Sequence, residues 1–187
     1  MKRAEKKDHL VSVAHALFNE HGYHAVGIDK IVAKAGIAKT TLYRHFKSKD
    51  DLIVAVLRNV DAQTREAMRQ FVNADKRQDS LLATFDYLLQ WFEAADFYGC
   101  PFMGAAKEYC DAGSPVRREA EMHKRLTVAY FEELARREGY HSPTAVAKEI
   151  NLLHEGATAV AQVKGDATSA LDAKSIASRL ISGYEKV

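Results

Sequence analysis

Ile31-Val32-Ala33-Lys34-Ala35-Gly36-Ile37-Ala38-Lys39-Thr40-Thr41-Leu42-Tyr43-Arg44-His45-Phe46 reads as two short helical patterns joined at one glycine. Gly36 can take the positive φ that turns the chain sharply between them. Ile31, Ile37, Leu42 and Phe46 are the apolar residues available to hold both pieces against the longer helical pattern before them, Lys6–His21. That helix carries Leu10, Val13, Ala14, Leu17 and Phe18 at spacings of three and four, one apolar stripe. Two short helices after a longer one form the pattern of a helix-turn-helix, whose second helix enters the DNA major groove. The second helix here exposes Lys39, Thr40, Thr41, Tyr43, Arg44 and His45, all able to donate hydrogen bonds. A pair of short helices packed inside a bundle would show the same apolar spacing, so charge has to separate the two readings.

The net charge of +2 hides an asymmetry. Residues 1–50 hold ten Lys and Arg against five Asp and Glu, a balance of +5, and the remainder holds 17 against 20, a balance of −3. A basic segment on a mildly acidic body points to an anionic partner for the N-terminal part. With the donor-rich second helix it favours nucleic acid over a solvated bundle face.

Composition bounds the rest. The 187 residues are 47% hydrophobic and 28% charged, a globular balance, and 3 prolines and 10 glycines are few for an all-β chain. No uncharged run approaches the roughly 20 apolar residues of a membrane-spanning helix. Met1-Lys2-Arg3 leads into an amphipathic pattern without the apolar core of a secretion signal. Cys100 and Cys110 are too few for a disulfide framework. The expectation is a soluble, cytoplasmic protein.

Working outward, helical periodicity continues to the end. Ser48 with Asp51 three residues on is a carboxylate variant of the capping box, opening a helix that runs to about Asn73 with Leu52, Ile53, Val56, Leu57 and Val60 inward. After the polar stretch Ala74–Asp79, Leu81, Leu82, Phe85, Leu88, Leu89 and Phe92 mark a fifth helix. Gly99-Cys100-Pro101 breaks the pattern, and Pro101 starts a short helix ending near Asp111. Ser114-Pro115 and Ser142-Pro143 each read as an N-cap followed by Pro, giving helices over 115–138 and 143–164, and a last one spans 168–185. The fold class is all-α, with nine helices: a helix-turn-helix domain over 1–48 and a second helical domain over 49–187.

His21-Gly22-Tyr23, Ile31, Ala35-Gly36-Ile37, the run Thr41-Leu42-Tyr43-Arg44-His45-Phe46-Lys47-Ser48-Lys49 and Leu52 resemble the tetracycline-repressor (TetR) family. The resemblance covers about residues 8–60, with weaker likeness at Gly99-Cys100-Pro101-Phe102 and Glu155-Gly156-Ala157. It implies a homodimeric transcription regulator, most often a repressor, that binds a palindromic operator and leaves it when a small-molecule effector binds. Carried over by position, Lys39, Thr40, Thr41 and Arg44 resemble base-reading residues. Tyr43, His45, Lys47 and Lys49, with the backbone at Gly27 and Ile28, resemble phosphate contacts. Three residues depart from the family pattern. Val26-Gly27 lacks the usual hydroxyl at the start of the second helix. Val32 stands in place of Ala and widens the packing expected between the short helices. Ala38 replaces a Ser N-cap, at a cost of about 1 kcal/mol.

On the helix over 143–164, Ile150, Leu153, Ala157, Val160 and Ala161 form a stripe, as do Leu171, Ile176 and Leu180 on the last helix. The resemblance implies a four-helix dimer interface from these two helices of each subunit, whereas periodicity alone fits core packing equally well. Trp91, Phe92, Phe102, Met103 and Tyr109, with His123 and His154 as polar members, are candidates for an effector pocket, with core packing the plainer reading for each aromatic. Eight histidines carry no metal-site spacing, so neither a metal nor a cofactor is expected. No nucleotide-binding or hydrolase signature is present, so the chain is not expected to be an enzyme. Two other readings stay open: a thiol- or metal-responsive DNA-binding sensor, and a helical small-molecule-binding protein without a specific DNA site.

Overall fold

A computed structural model of the chain describes residues 3–74 and 79–186. Met1, Lys2, Val187 and most of the polar stretch after the fourth helix, 75–78, lie outside the described residues. Among the described residues the chain forms α1 (Arg3–His21), α2 (Ile28–Ala35), α3 (Lys39–His45), α4 (Lys49–Ala74), α5 (Ser80–Phe92), α6 (Pro101–Glu108), α7 (Pro115–Arg137), α8 (Pro143–Lys164) and α9 (Ser169–Ile181). The one bridge of β type joins Tyr140 to Lys186, and no strand forms among the described residues.

Element ends follow local chemistry. At α4 the capping box closes as the sequence requires: Asp51 N–H donates to Ser48 Oγ at 3.1 Å, and Ser48 N–H donates to Asp51 Oδ2 at 3.0 Å. The sixth helix stops at Glu108, short of the expected Asp111. There Asp111 accepts from the backbone N–H of Gly113 at 3.0 Å, and such Asx turns compete with a helix. The last helix stops at Ile181, short of 185: Gly183 N–H turns back to Leu180 O and Tyr184 N–H to Ile181 O, after which Glu185 O accepts from His141 N–H at 3.1 Å.

The chain forms two compact units, and their division falls inside α4 and α7. The first comprises residues 1–63 and 101–122, so it takes in α6 and the start of α7 as well as the helix-turn-helix. In it α1 packs on α2 and α3, and Leu10, Ala14, Phe18, Val26, Ile31, Leu42, Leu52 and Leu57 are buried. The second comprises 64–100 and 123–187. There α8 packs on α5 and α9 around a core that includes Phe85, Leu88, Phe131, Leu134, Ile150 and Ala161. No helix among the described residues is long and apolar enough to cross a membrane.

Candidate nucleic-acid interface

The turn between α2 and α3 rests on Gly36, whose φ of 63° and ψ of 31° are left-handed. Its N–H donates to Ala33 O, and Ile37 N–H donates back to Val32 O at 3.1 Å, so the last carbonyls of α2 are satisfied as the chain reverses. Ile31, Ala35 and Leu42 are the buried residues of the two short helices. Everything else on α3 is exposed or partly so: Lys39, Thr40, Tyr43 and Arg44 are exposed, Thr41 and His45 partly buried. Neither Gly27 before α2 nor Ala38 before α3 makes a side-chain cap, so amides at both starts lack the usual hydroxyl partner.

Among the candidates, two lysines are already engaged. Lys39 Nζ lies 2.7 Å from Asp29 Oδ1, and that hydrogen bond, aided by the carboxylate charge, raises the lysine pKa. Lys49 Nζ reaches His24 O at 3.4 Å, and burial lowers its pKa against the pull of Glu108 and Asp50. Lys47 and Arg44 are exposed.

The loop ahead of α2 is braced by α6, within the same unit. Glu108 accepts from the backbone N–H groups of Tyr23 at 2.9 Å and His24 at 2.6 Å through its two oxygens. Tyr23 spans α6 in the other direction, its hydroxyl donating to Pro101 O at 3.0 Å. Tyr109 donates to Asp50 at the start of α4 at 3.1 Å, and its ring meets the His24 ring edge-on at 4.9 Å. Burial and the neighbouring Asp50 and Glu108 carboxylates push the Tyr109 phenol up. The helix-turn-helix is thus held at its first turn and at the start of α4.

This geometry is that of a helix-turn-helix with its second helix outward, and residues 10–56 match the family model of bacterial regulatory proteins of the tetR family. Over residues 10–56 the chain carries a tetR-type DNA-binding segment. It is 38% identical over 93 residues to the HTH-type transcriptional activator FasR of Mycolicibacterium smegmatis, a match covering 47% of this chain and 42% of FasR. It is 34% identical over 89 residues to the HTH-type transcriptional regulator SAB2452 of Staphylococcus aureus, covering 46% and 48%. The chain thus matches less than half the length of these curated relatives. The TetR-family regulator SCO4454 of Streptomyces coelicolor superposes with a TM-score of 0.86 at 29% identity, over 96% of this chain and 97% of that one. A tetR-type regulator of Streptomyces avermitilis, sav143, gives 0.83 at 26%, over 97% and 99%. Both units therefore have counterparts in these two regulators.

The remaining candidates divide between the units. Phe102, Met103 and Tyr109 belong to the first, and Trp91, Phe92, His123 and His154 to the second. The two grooves described in the first unit are lined by α1, α3 and α4 residues such as Lys7, His15, Arg44, His45 and Arg58, and by none of the pocket candidates. In the second unit Trp91, Phe92 and Phe97 form a ring cluster with centroids 5.0–5.5 Å apart. His154 lies between the rings of Phe85 and Phe131, and its Nε2 is 2.8 Å from Thr84 Oγ1. Thr84 donates its own proton to Leu81 O, so the imidazole Nε2 is the donor in that contact. Burial, with a smaller push from Lys124, lowers the His154 pKa to about 3, and the ring is neutral.

Of the residues expected at a subunit interface, Ile150, Ala157 and Ala161 face the chain's own core. Ile150 and Ala161 are at most 1% exposed and Ala157 5%, so these three pack within the chain. Leu153 and Leu180 are partly buried, whereas Val160, Leu171 and Ile176 are exposed, joined by Leu152 and Val163 at 71% and 86% exposure. Cys100 is buried and Cys110 exposed, both as free thiols. Lys124 Nζ approaches Cys100 Sγ at 3.6 Å while paired with Glu155 at 2.7 Å. No group of metal-ligating side chains occurs among the described residues.

Sequence reasoning passed over Asp29 and Glu108. Asp29 had a signal, being the one carboxylate between Glu20 and Asp50. Glu108 had none, because it acts on backbone amides 84 and 85 residues away.

Proposed function

We propose that the chain is a one-component transcription regulator, most simply a repressor, that binds a palindromic DNA operator as a homodimer in the cytoplasm and is released by a small-molecule effector. The observation that carries this reading is the outward face of α3, where a single buried residue, Leu42, anchors a helix whose other side chains are polar donors. Lys39, Thr40, Thr41 and Arg44 read base edges: Lys or Arg donates to guanine O6 and N7, and a Thr methyl packs on thymine. Tyr43, His45, Lys47 and Lys49, with the amides at Gly27 and Ile28, grip phosphates. Functionally the DNA-binding part is 1–48 and the effector and dimer part 49–187, with α6 serving the first although it lies in the second.

The dimer face is the exposed apolar surface of α8 and α9. Leu152, Gly156, Val160 and Val163 follow one another at helical spacing on one side of α8, and Leu171 and Ile176 are exposed on α9. A second copy offers the same patch, as a two-fold interface requires. The effector enters among Trp91, Phe92, His123 and His154 of the second unit, with Phe102, Met103 and Tyr109 as the α6-side candidates. Its binding lowers operator affinity by changing the separation of the two recognition helices from successive major grooves, roughly 34–36 Å apart.

Selection of bound sequences from random duplex DNA, followed by affinity across salt, tests the reading. Recovery of a palindrome bound two chains at a time with a steep salt slope supports it, and a promoter fusion then separates repression from activation. Weak binding without sequence preference overturns it in favour of a helical small-molecule-binding protein. A monomer in sedimentation at micromolar concentration removes the dimer.

A thiol-responsive variant of the same regulator is favoured by the approach of Lys124 to Cys100. In that reading, alkylation of the thiols releases DNA without any effector.

A further inference from the structure

Between Glu20 and Asp50 the sole carboxylate is Asp29, set among Lys30, Lys34, Lys39, Arg44, Lys47 and Lys49. It occupies the first turn of α2, is 81% exposed, and binds Lys39, the first residue of α3, which is 51% exposed. An ion pair this exposed adds little to folding. A carboxylate on a surface that meets phosphates also works against attraction. Neither stability nor bulk charge accounts for the pair.

Direction does. A lysine ammonium is a point charge on a flexible stem with three donors, and left alone it settles on the nearest phosphate. Paired with Asp29 Oδ1 at 2.7 Å, it keeps two donors and is biased toward the first turn of α2 rather than toward a phosphate. The tie is at the N-terminal end of α3, the end of a recognition helix that meets base edges. The carboxylate retains acceptor capacity there, beside the ammonium. Donor and acceptor side by side match a G·C pair in the major groove, where guanine offers O6 and N7 and cytosine offers its N4 amino group.

We propose that Asp29 determines sequence specificity together with Lys39, the ammonium donating to guanine and the carboxylate accepting from the cytosine amino group of a G·C pair in each half-site. This rests on the DNA-binding reading above. Asp29 has a second effect, because it keeps Lys39 off the phosphates and so weakens binding to wrong sequences.

The test uses the full-length wild type, Asp29→Asn, Asp29→Glu and Lys39→Gln. Each is taken through selection from random duplex DNA. Affinity is then measured for the selected palindrome, for its single-position substitutions and for a scrambled duplex across salt. The wild type is expected to prefer G·C over A·T at one position of each half-site by roughly ten- to a hundredfold. In Asp29→Asn that preference falls below about threefold while other positions keep theirs, and the scrambled duplex binds several-fold tighter, with a salt slope steeper by about one. Asp29→Glu, which keeps the carboxylate, retains most of the preference, and Lys39→Gln loses it. A melting temperature unchanged by Asp29→Asn accompanies this result. The proposal is overturned if Asp29→Asn leaves the preference at every position as it was, weakens all positions equally, or acts by lowering the melting temperature. A wild type that selects no sequence overturns the DNA-binding reading and this inference with it, whereas a selected palindrome indifferent to Asp29 overturns the inference alone.

Discussion

Helix α3 has seven residues and buries one of them, Leu42, whereas α8 has 22 and buries seven. The short helix cannot sustain itself: isolated helices below about 12 residues are marginal in water, so α3 exists because α1 and α2 hold it. Its surface is therefore free to be chosen for what it meets. In α8 the inward side chains answer to the core, with Ile150 and Ala161 packed and His154 fixed between two rings. Only the outward strip from Leu152 to Val163 remains for anything else. The helix that buries least is thus the one whose outward face is most free of packing demands.

The contrast is broken most forcefully at Leu42. Leu42→Ala is expected to cost about 2–5 kcal/mol, as for fully buried leucines elsewhere, and to strip protection from the amides of 39–45 in hydrogen exchange. Operator binding disappears with it, although no base-contacting group has been touched.

In the second unit the sharper probe is acid. The folded His154 takes a proton only near pH 3, whereas the unfolded imidazole takes one near 6.5. Stability that is complete above the unfolded value is therefore lost as pH falls through this window. The rate is up to about 1.4 kcal/mol per pH unit, so about 2 kcal/mol has gone by pH 5. Urea denaturation at pH 7 and pH 5 measures it, and His154→Leu removes that share of the difference. An equal pH dependence in the variant would assign the loss to other groups.

Two substitutions on the recognition surface separate its tasks. Arg44→Ala is expected to weaken the selected operator by about 1–3 kcal/mol and to relax preference at particular positions. Lys47→Ala weakens every duplex alike and lowers the salt slope by about one. Fluorescence anisotropy across salt distinguishes these patterns. The smallest effect belongs to the start of α4, where Ser48→Ala removes half of a capping box and is expected to cost about 1 kcal/mol in thermal denaturation.

What could be read from the sequence follows the same division. The bounds of α2 and α8 and the cap at Ser48 are local matters of periodicity, turn glycine and short-range hydrogen bonds, and they are legible at a distance of a few residues. So is the donor-rich face of α3. The burial of Ile150, Ala157 and Ala161 within the chain is not, because a helical stripe looks the same whichever neighbour covers it. Glu108 was illegible for a different reason. Its partners are backbone amides, which every residue but proline carries, so nothing in the identity of Tyr23 or His24 announces an acceptor from α6. Asp29 lies between these cases, visible as an isolated charge but without a partner until α2 and α3 are folded together.

The brace from Glu108 to Tyr23 and His24 also bears on how such a molecule can be cut and recombined. The unit that presents α3 is discontinuous in sequence, assembled from 1–63 and 101–122. A chimera joined after residue 63 would carry the whole family signature yet leave two amides of the α1–α2 loop without their carboxylate, and Asp50 without the Tyr109 hydroxyl. Transplanting the reading head onto another sensor body therefore calls for moving α6 along with it, or for choosing a recipient whose own sixth helix ends in a glutamate at the corresponding place. Modularity in this fold is a property of surfaces in space, and a linear splice does not respect it.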